Sequence, residues 1–115
     1  MKPKLRVWVI FPTGLKFGDG RAQLLDAIDE LGSLQKAAAR FDMSYRGAWG
    51  YLRELEAAAG FALLERTAGR GRASGMRLTA RGRTFVTRYW RFRRGLDDVA
   101  SRRFARAFRG RAGAG

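Results

Sequence analysis

Residues 33–55 read SLQKAAARFDMSYRGAWGYLREL, and this stretch decides the fold. Its first part places apolar residues at the spacing of one helical face: Leu34, Ala37, Ala38 and Phe41. Asp42 and Met43 interrupt that spacing, and Ser44 can cap the start of a second helix. The second helix has its own apolar row: Ala48, Leu52, Leu55 and Ala59. Two helices joined by a short turn, with small alanines where they cross, predict a helix-turn-helix over residues 33–59.

The opposite side of the second helix carries polar and aromatic residues: Tyr45, Arg46, Trp49, Gly50 and Arg53. Arg46 and Arg53 can reach bases or phosphates in a major groove, and Tyr45 can donate to a phosphate or stack on a base. Trp49 fits either a groove contact or an edge position half inside the core. The alternative is an ordinary helical hairpin with a solvated outer face, where a large aromatic residue would be unusual.

Composition excludes several kinds of site. The 115 residues include no cysteine and no histidine, which removes disulfides, thiolate metal sites and the commonest general base. The only candidate catalytic pair is Asp97-Asp98, whose side chains diverge by about 100° on a helix. We therefore expect no enzyme activity, no metal and no cofactor.

Charge is distributed unevenly along the chain, whose net charge is +14. Residues 1–65 hold nine basic and eight acidic residues, whereas residues 66–115 hold fifteen arginines and two aspartates. This asymmetry indicates a polyanionic partner approached mainly by the C-terminal half. The apolar run 7–11 is far shorter than the ~20 residues a bilayer requires, so we expect a cytoplasmic protein with no membrane partner.

The elements before the helix-turn-helix are a predicted hairpin and a helix. Residues 5–11 favour a strand, Pro12-Thr13-Gly14 favours a turn, and residues 15–17 return, giving a hairpin over 5–17. Asp19 is predicted as the N-cap of a helix over 21–31, and Gly32 ends that helix.

A basic loop between two short strands follows the second helix. Residues 69–75 read GRGRASG, and Met76-Arg77-Leu78 would be the returning strand of a wing over 63–78. Glycines allow this loop to lie close to a backbone, while Arg70 and Arg72 offer charge to phosphates or a minor groove. The alternative is a surface loop that is basic by chance.

A last helix is predicted from the Thr79 cap to about Phe108. It carries a heptad-spaced row of apolar residues: Phe85, Tyr89, Phe92, Leu96 and Val99. Such a row needs a partner, so we expect a dimerisation helix over 79–108 that forms a two-fold homodimer. The alternative is that the helix folds back on its own core. Trp90 lies off the row, in position to pack on the domain, and residues 109–115 are expected to be a disordered tail.

These elements predict a mainly α fold with small β (α+β): a winged helix-turn-helix domain over 1–78 followed by the dimerisation helix. Two sets of motifs carry a family resemblance. Gly32-Ser33, Ala37-Ala38, Leu64-Glu65-Arg66-Thr67 and Leu78-Thr79-Ala80-Arg81-Gly82 resemble the DNA-binding domain of LysR-type regulators. The run 43–49, MSYRGAW, resembles the start of the recognition helix in ModE-type molybdate-responsive regulators.

The resemblance covers about residues 4–100 and implies a winged-helix homodimer on a palindromic operator. It places Ser44, Tyr45, Arg46 and Trp49 at the DNA-facing start of the recognition helix, and Arg70 and Arg72 on the wing. Full-length members of the ModE type place molybdate-binding domains after the dimer helix. We expect no molybdate site in the present 115 residues.

The leading interpretation is a sequence-specific transcriptional regulator that binds double-stranded DNA as a dimer. The alternative is a sequence-independent protein that coats DNA or RNA through its arginine-rich half. A specific regulator prefers its site over random DNA by typically ~10³-fold or more, whereas a coating protein shows almost no preference.

Overall fold

The computed structural model describes residues 1–67 and 75–109. The fold is mainly α with two small antiparallel hairpins, which confirms the predicted class. In chain order the elements are β1 (Val9–Ile10), β2 (Lys16–Phe17), α1 (Asp19–Leu31), α2 (Leu34–Arg40), α3 (Tyr45–Ala59), β3 (Leu64–Arg66), β4 (Met76–Leu78), α4 (Ala80–Arg93) and α5 (Leu96–Ala107). The wing arginines Arg70 and Arg72, and all of the expected tail except the exposed Arg109, lie outside the described residues.

The helix-turn-helix is formed by α2 and α3, as the spacing predicts. The Ser33 hydroxyl accepts from the Lys36 amide at 3.1 Å, and the Ser44 hydroxyl accepts from the Gly47 amide at 2.9 Å, so a serine caps each helix. Asp42 makes the turn with a left-handed φ of 54°.

The core lies between α1, α2, α3 and α4. The predicted helical faces supply most of it: Leu24, Leu25, Ile28, Leu34, Ala37, Ala38, Ala48, Leu52 and Leu55 are all buried. Ala59 is only half-buried. The small side chains of Ala37 and Ala38 are almost completely enclosed, which lets the two helices cross closely.

The N-terminal hairpin is shorter than predicted. Only Val9–Ile10 and Lys16–Phe17 pair, with Val9 opposite Phe17, and residues 5–8 make no strand. Phe17 is fully buried and packs edge-on against Phe85 and Tyr89 of α4, at centroid distances of 4.9 and 5.1 Å. The hairpin therefore fixes α4 to the core.

The predicted N-cap of α1 is wrong. The cap position is Gly18, which forms no side-chain hydrogen bond, and Asp19 is the first helical residue. Glycine is required at the cap because a Cβ there would lie 2.8 Å from the Trp8 ring. The Asp19 carboxylate is consequently directed at α4 instead of at its own helix.

The wing strands β3 and β4 pair antiparallel, with Arg66 opposite Met76. The Thr67 amide donates to the Gly75 carbonyl at 3.0 Å, and the Met76 amide donates to the Gly32 carbonyl at 3.0 Å. A Cβ on Gly75 would lie only 2.4 Å from the Gly32 oxygen. The base of the wing is therefore held against the end of α1.

The predicted long last helix is two helices, and the expected heptad row is divided between them. Thr79 caps α4 by accepting from the Gly82 amide at 2.9 Å, as predicted. Gly95, with a φ of 85°, then separates α4 from α5. Phe85 and Tyr89 pack in the core of their own chain, so for these two residues the predicted dimer row is corrected.

Acidic side chains of α1 hold α4 in place through hydrogen bonds and ion pairs. Asp19 accepts from the Tyr89 hydroxyl and from Arg93 Nε. Asp26 accepts from the Trp90 indole at 2.8 Å, so Trp90 packs back on the domain. Asp29 pairs with Arg83 at 3.3 Å and also accepts from the Leu78 amide. We name this set of contacts the α1–α4 clamp.

The helix α5 contributes no buried residue to the domain. Leu96 is partly exposed, whereas Val99 is 42% exposed and Phe108 is 48% exposed. Phe104 and Phe108 stack on each other with centroids 4.7 Å apart. Within residues 1–67 and 75–109, the helices are too short or too polar to cross a membrane.

Candidate nucleic-acid interface

The outer face of α3 carries cations that lack acidic partners. Arg46 and Arg53 are both exposed, and within the described ranges neither forms an ion pair. By contrast, Arg40, Arg77, Arg83 and Arg93 are each paired with a carboxylate. The charge of Arg46 and Arg53 is therefore available to an external anion.

Trp49 and Tyr45 form a pair at the start of α3. The Trp49 indole N–H donates to the Tyr45 hydroxyl oxygen at 2.7 Å, and the two rings meet edge-on. Trp49 packs against the core and is half-buried. Of the two positions that the sequence allowed, a groove contact or the edge of the core, the structure has the edge of the core. Tyr45 is 49% exposed, and its own O–H proton remains available to an acceptor outside the chain.

A cleft of about 470 Å³ lies between the starts of α2 and α3 and the base of the wing. Its lining residues are Ser33, Leu34, Gln35, Tyr45, Arg66, Gly75 and Met76. The lining contains one cation, three further polar side chains and no carboxylate, which suits an anionic group. Arg66 and Gly75 belong to the base of the wing, so the cleft lies between the helix-turn-helix and the wing strands.

Arg66 and Gln35 are interface candidates that the sequence reasoning missed. Arg66 is exposed at the end of β3 and makes no ion pair within the described part of the chain. Its position in the motif Leu64-Glu65-Arg66-Thr67 was a usable signal, because Arg66 is the last residue of the first wing strand, next to the basic loop.

A second pair of cations lies on the other edge of α3. The Arg21 guanidinium sits over the Tyr51 ring at 4.6 Å, and Lys16 lies 5.9 Å from the Trp8 ring centroid. Burial raises the pKa of Tyr51 to about 12, so its hydroxyl stays protonated and donates to the Lys16 carbonyl at 2.9 Å. These contacts connect the N-terminal hairpin to α3.

The sequence-predicted site residues therefore separate into groups. Ser44, Tyr45, Arg46, Trp49 and Arg53 all lie on α3 or at its cap, with Arg46 and Arg53 on the outer face. Phe92 and Val99 are exposed near the α4–α5 junction and Leu96 is partly exposed, whereas Tyr89 is buried and the partly buried Phe85 packs against the core.

Comparison with known proteins identifies the family. The family model described as "Bacterial regulatory helix-turn-helix protein, lysR family" matches residues 20–83, which run from the start of α1 through the wing to α4. The chain belongs to this family. The family and the fold are those of DNA-binding regulator domains and not those of enzymes.

Individual relatives agree with this assignment. The molybdenum transport protein ModE of Azotobacter vinelandii is 36% identical over 76 residues, which cover 66% of this chain and 28% of ModE. The chain therefore spans little more than a quarter of that relative's length. This match supports the ModE-type resemblance, which rests on the recognition-helix motif.

Solved structures of CbnR, a LysR family transcriptional regulator, share the fold. The complex of the CbnR DNA-binding domain with DNA is 30% identical, with a TM-score of 0.53 and coverage of 82% of this chain and 94% of the domain. Full-length CbnR with its target DNA is 31% identical, with a TM-score of 0.59 and coverage of 76% and 28%. These structures confirm the winged-helix fold.

Proposed function

We propose that this family member binds double-stranded DNA sequence-specifically as a homodimeric regulator on a palindromic operator. The observation that carries the proposal is a pair of exposed cations, Arg46 and Arg53, which form no ion pair within residues 1–67 and 75–109. Both lie on the outer face of a helix that a serine caps and that packs into the core. The DNA complexes formed by CbnR, which shares the fold, support it.

In this proposal α3 enters the major groove. Arg46 lies in the first turn, where a guanidinium can bond guanine O6 and N7 together, and Arg53 extends the contact two turns later. Ser44 starts the helix, and Tyr45 donates its hydroxyl proton to a phosphate while Trp49 fixes the ring. Arg70 and Arg72 of the wing contact the backbone or the minor groove, beside Arg66.

The homodimer is proposed to form through the apolar face of α5. We define this face by five residues at helical spacing: Leu96, Val99, Ala100, Phe104 and Phe108. None of these side chains is buried by the domain. Burial of one such side chain contributes ~1.5–3 kcal/mol, so a shared face can hold two chains together. Phe92, which is 50% exposed, lies at its start.

Two-fold pairing makes a palindromic operator a geometric consequence. It would separate the two recognition helices by about one DNA turn, ~34 Å, or by a multiple of it. Each half-site would then present the same bases to Arg46 of its own subunit.

The second candidate is a protein that coats nucleic acid regardless of sequence. The observation that favours it is the set of exposed arginines on α5, Arg102, Arg103 and Arg106, which make no ion pair in the described part of the chain. Counterion release at such residues supports binding to any duplex.

Selection of bound sites from random DNA separates the two candidates. The regulator should enrich a motif with two inverted half-sites and bind it ~10³-fold or more tightly than random DNA at the same salt concentration. Equal affinity for selected and random DNA would overturn the regulator and favour the coating protein. An enriched site without inverted symmetry would overturn the dimer alone.

A further inference from the structure

Gly50 occupies the middle of α3 although nothing in the described part of the chain requires a glycine there. A Cβ at Gly50 would meet no atom within 4 Å, and its backbone is not in the left-handed region. Glycine inside a helix is less favourable than alanine because it loses more conformational freedom on folding. The fold would therefore accept alanine at this position and gain stability from it.

Apart from Gly20 in the first turn of α1, the other glycines of the described chain have a structural reason. A Cβ on Gly75 or on Gly82 would lie 2.4 Å from a backbone oxygen, and Gly60 ends α3 with a φ of 84°. A Cβ on Gly47 would come within 2.8 Å of the Ser44 hydroxyl that caps α3. Gly50, in the middle of α3, has no comparable contact within residues 1–67 and 75–109, so the reason for this glycine is not found there.

The neighbours of Gly50 indicate what that reason is. Residues three and four positions apart are adjacent on a helix surface, so Gly50 lies between Arg46 and Arg53. Both arginines are exposed and without carboxylate partners among the described residues. The outer face of α3 thus presents a cation, a bare stretch of backbone and a second cation.

We propose that Gly50 is a specificity-determining position that lets the α3 backbone approach the floor of the DNA major groove. The inference rests on the proposed function and deepens it. Without a side chain at position 50, the helix axis can come closer to the base pairs by about the width of a methyl group. Both guanidiniums can then reach base edges at the same time instead of stopping at the phosphates.

The test compares two glycine-to-alanine variants of the whole chain. Gly50→Ala should raise Tm by about 2–5 °C, because alanine is the better helix former. It should nevertheless lower the affinity for the selected operator by about tenfold or more and leave the affinity for random DNA within twofold of the wild type. The larger Gly50→Gln should lose more operator affinity still.

Gly20→Ala is the matched control, since Gly20 also lies in a helix with open space around its Cα. It should leave operator affinity unchanged. Wild-type operator affinity in Gly50→Ala, or an equal loss on operator and random DNA, would overturn the inference while leaving the proposed function intact. A wild-type protein without any site preference would overturn both.

Discussion

The helices α4 and α5 follow each other directly and are both rich in arginine, yet they differ in how far they pack against the rest of the domain. The first packs Val86 and Tyr89 into the core and engages three acidic residues of α1. The second buries none of its residues. The difference does not lie in amphipathic character, because each helix has an apolar face.

The two helices differ in whether the rest of the chain offers side chains that pair with theirs. Four of the ten acidic residues lie on α1, and each has a partner on α2, α4 or β4. Neither the α5 apolar face nor the outer face of α3 meets such a set. Surfaces satisfied internally therefore hold the domain together, and we propose that the unsatisfied ones contact a second chain and DNA.

The largest effect is expected from charges placed on the α5 apolar face. Val99→Asp with Phe104→Asp should produce monomers and lower affinity for the full operator at least about 100-fold, since two carboxylates cannot be buried in a shared apolar contact. Tm should hardly change, because neither residue belongs to the core. Light scattering, operator binding and thermal melting measure the three quantities.

The matched control for that variant is Ser101→Asp with Ala105→Asp, which adds the same charge at two exposed positions of α5 outside the apolar face. It should remain dimeric. A wild type that is monomeric at micromolar concentration, or a Val99/Phe104 variant that stays dimeric, would show that the α5 apolar face does not form the dimer. The proposed difference between α4 and α5 would then be wrong.

The next effect concerns the unpaired charge on α3. Arg46→Ala should cost about 1–3 kcal/mol on the best site and relax the preference at one base pair in each half-site. Arg40→Ala is the control, because that arginine already pairs with Glu30 at 3.1 Å. Binding titrations on operator and random DNA decide the assignment; an equal loss on both would make Arg46 a phosphate contact.

The next prediction concerns the α1–α4 clamp. Breaking it is expected to lower the stability of the domain and not its affinity for DNA. Burial, together with the hydrogen bond to Asp19, raises the pKa of Tyr89, so its hydroxyl is a protonated donor that is only 4% exposed. Asp19→Ala would leave this buried donor without its acceptor and should lower the free energy of unfolding by about 2 kcal/mol.

Two variants sharpen the clamp measurement in urea melts. Asp19→Asn retains an acceptor oxygen for Tyr89 and should lose less. Asp97→Ala removes an exposed carboxylate that also contacts Arg93, and should change stability far less than Asp19→Ala. Equal losses for Asp19→Ala and Asp97→Ala would show that the buried hydroxyl does not dominate the clamp.

The smallest effect tests whether Trp49 acts through Tyr45. Trp49→Phe keeps an aromatic ring but removes the indole N–H that holds the Tyr45 oxygen, and should weaken operator binding by about 1 kcal/mol. Tyr45→Phe should weaken it similarly, and the double variant should lose no more than either single variant. Additive losses would mean that the two side chains contact DNA independently.

The sequence by itself determined the helix-turn-helix, the Ser44 cap of its second helix, the wing strands and the fold class. These features depend on local signals, namely apolar spacing over one or two turns and side chains that bond amides three residues away. Such signals act within a few residues, so they can be read along the chain without knowing what lies opposite. The positions of Arg46 and Arg53 on α3 were visible in the same way.

Only the tertiary structure decided which surfaces the apolar and acidic residues face. Phe85 and Tyr89 have the spacing of a dimer row, but the Phe17 ring, some 70 residues earlier in the chain, fills the space beside them. Aspartate is a residue type that often caps helices, but the Asp19 carboxylate accepts hydrogen bonds from Tyr89 and Arg93 instead. Whether a side chain is buried depends on a second segment that can be far away in the sequence. The spacing of residues within one segment does not say which other segment packs against it.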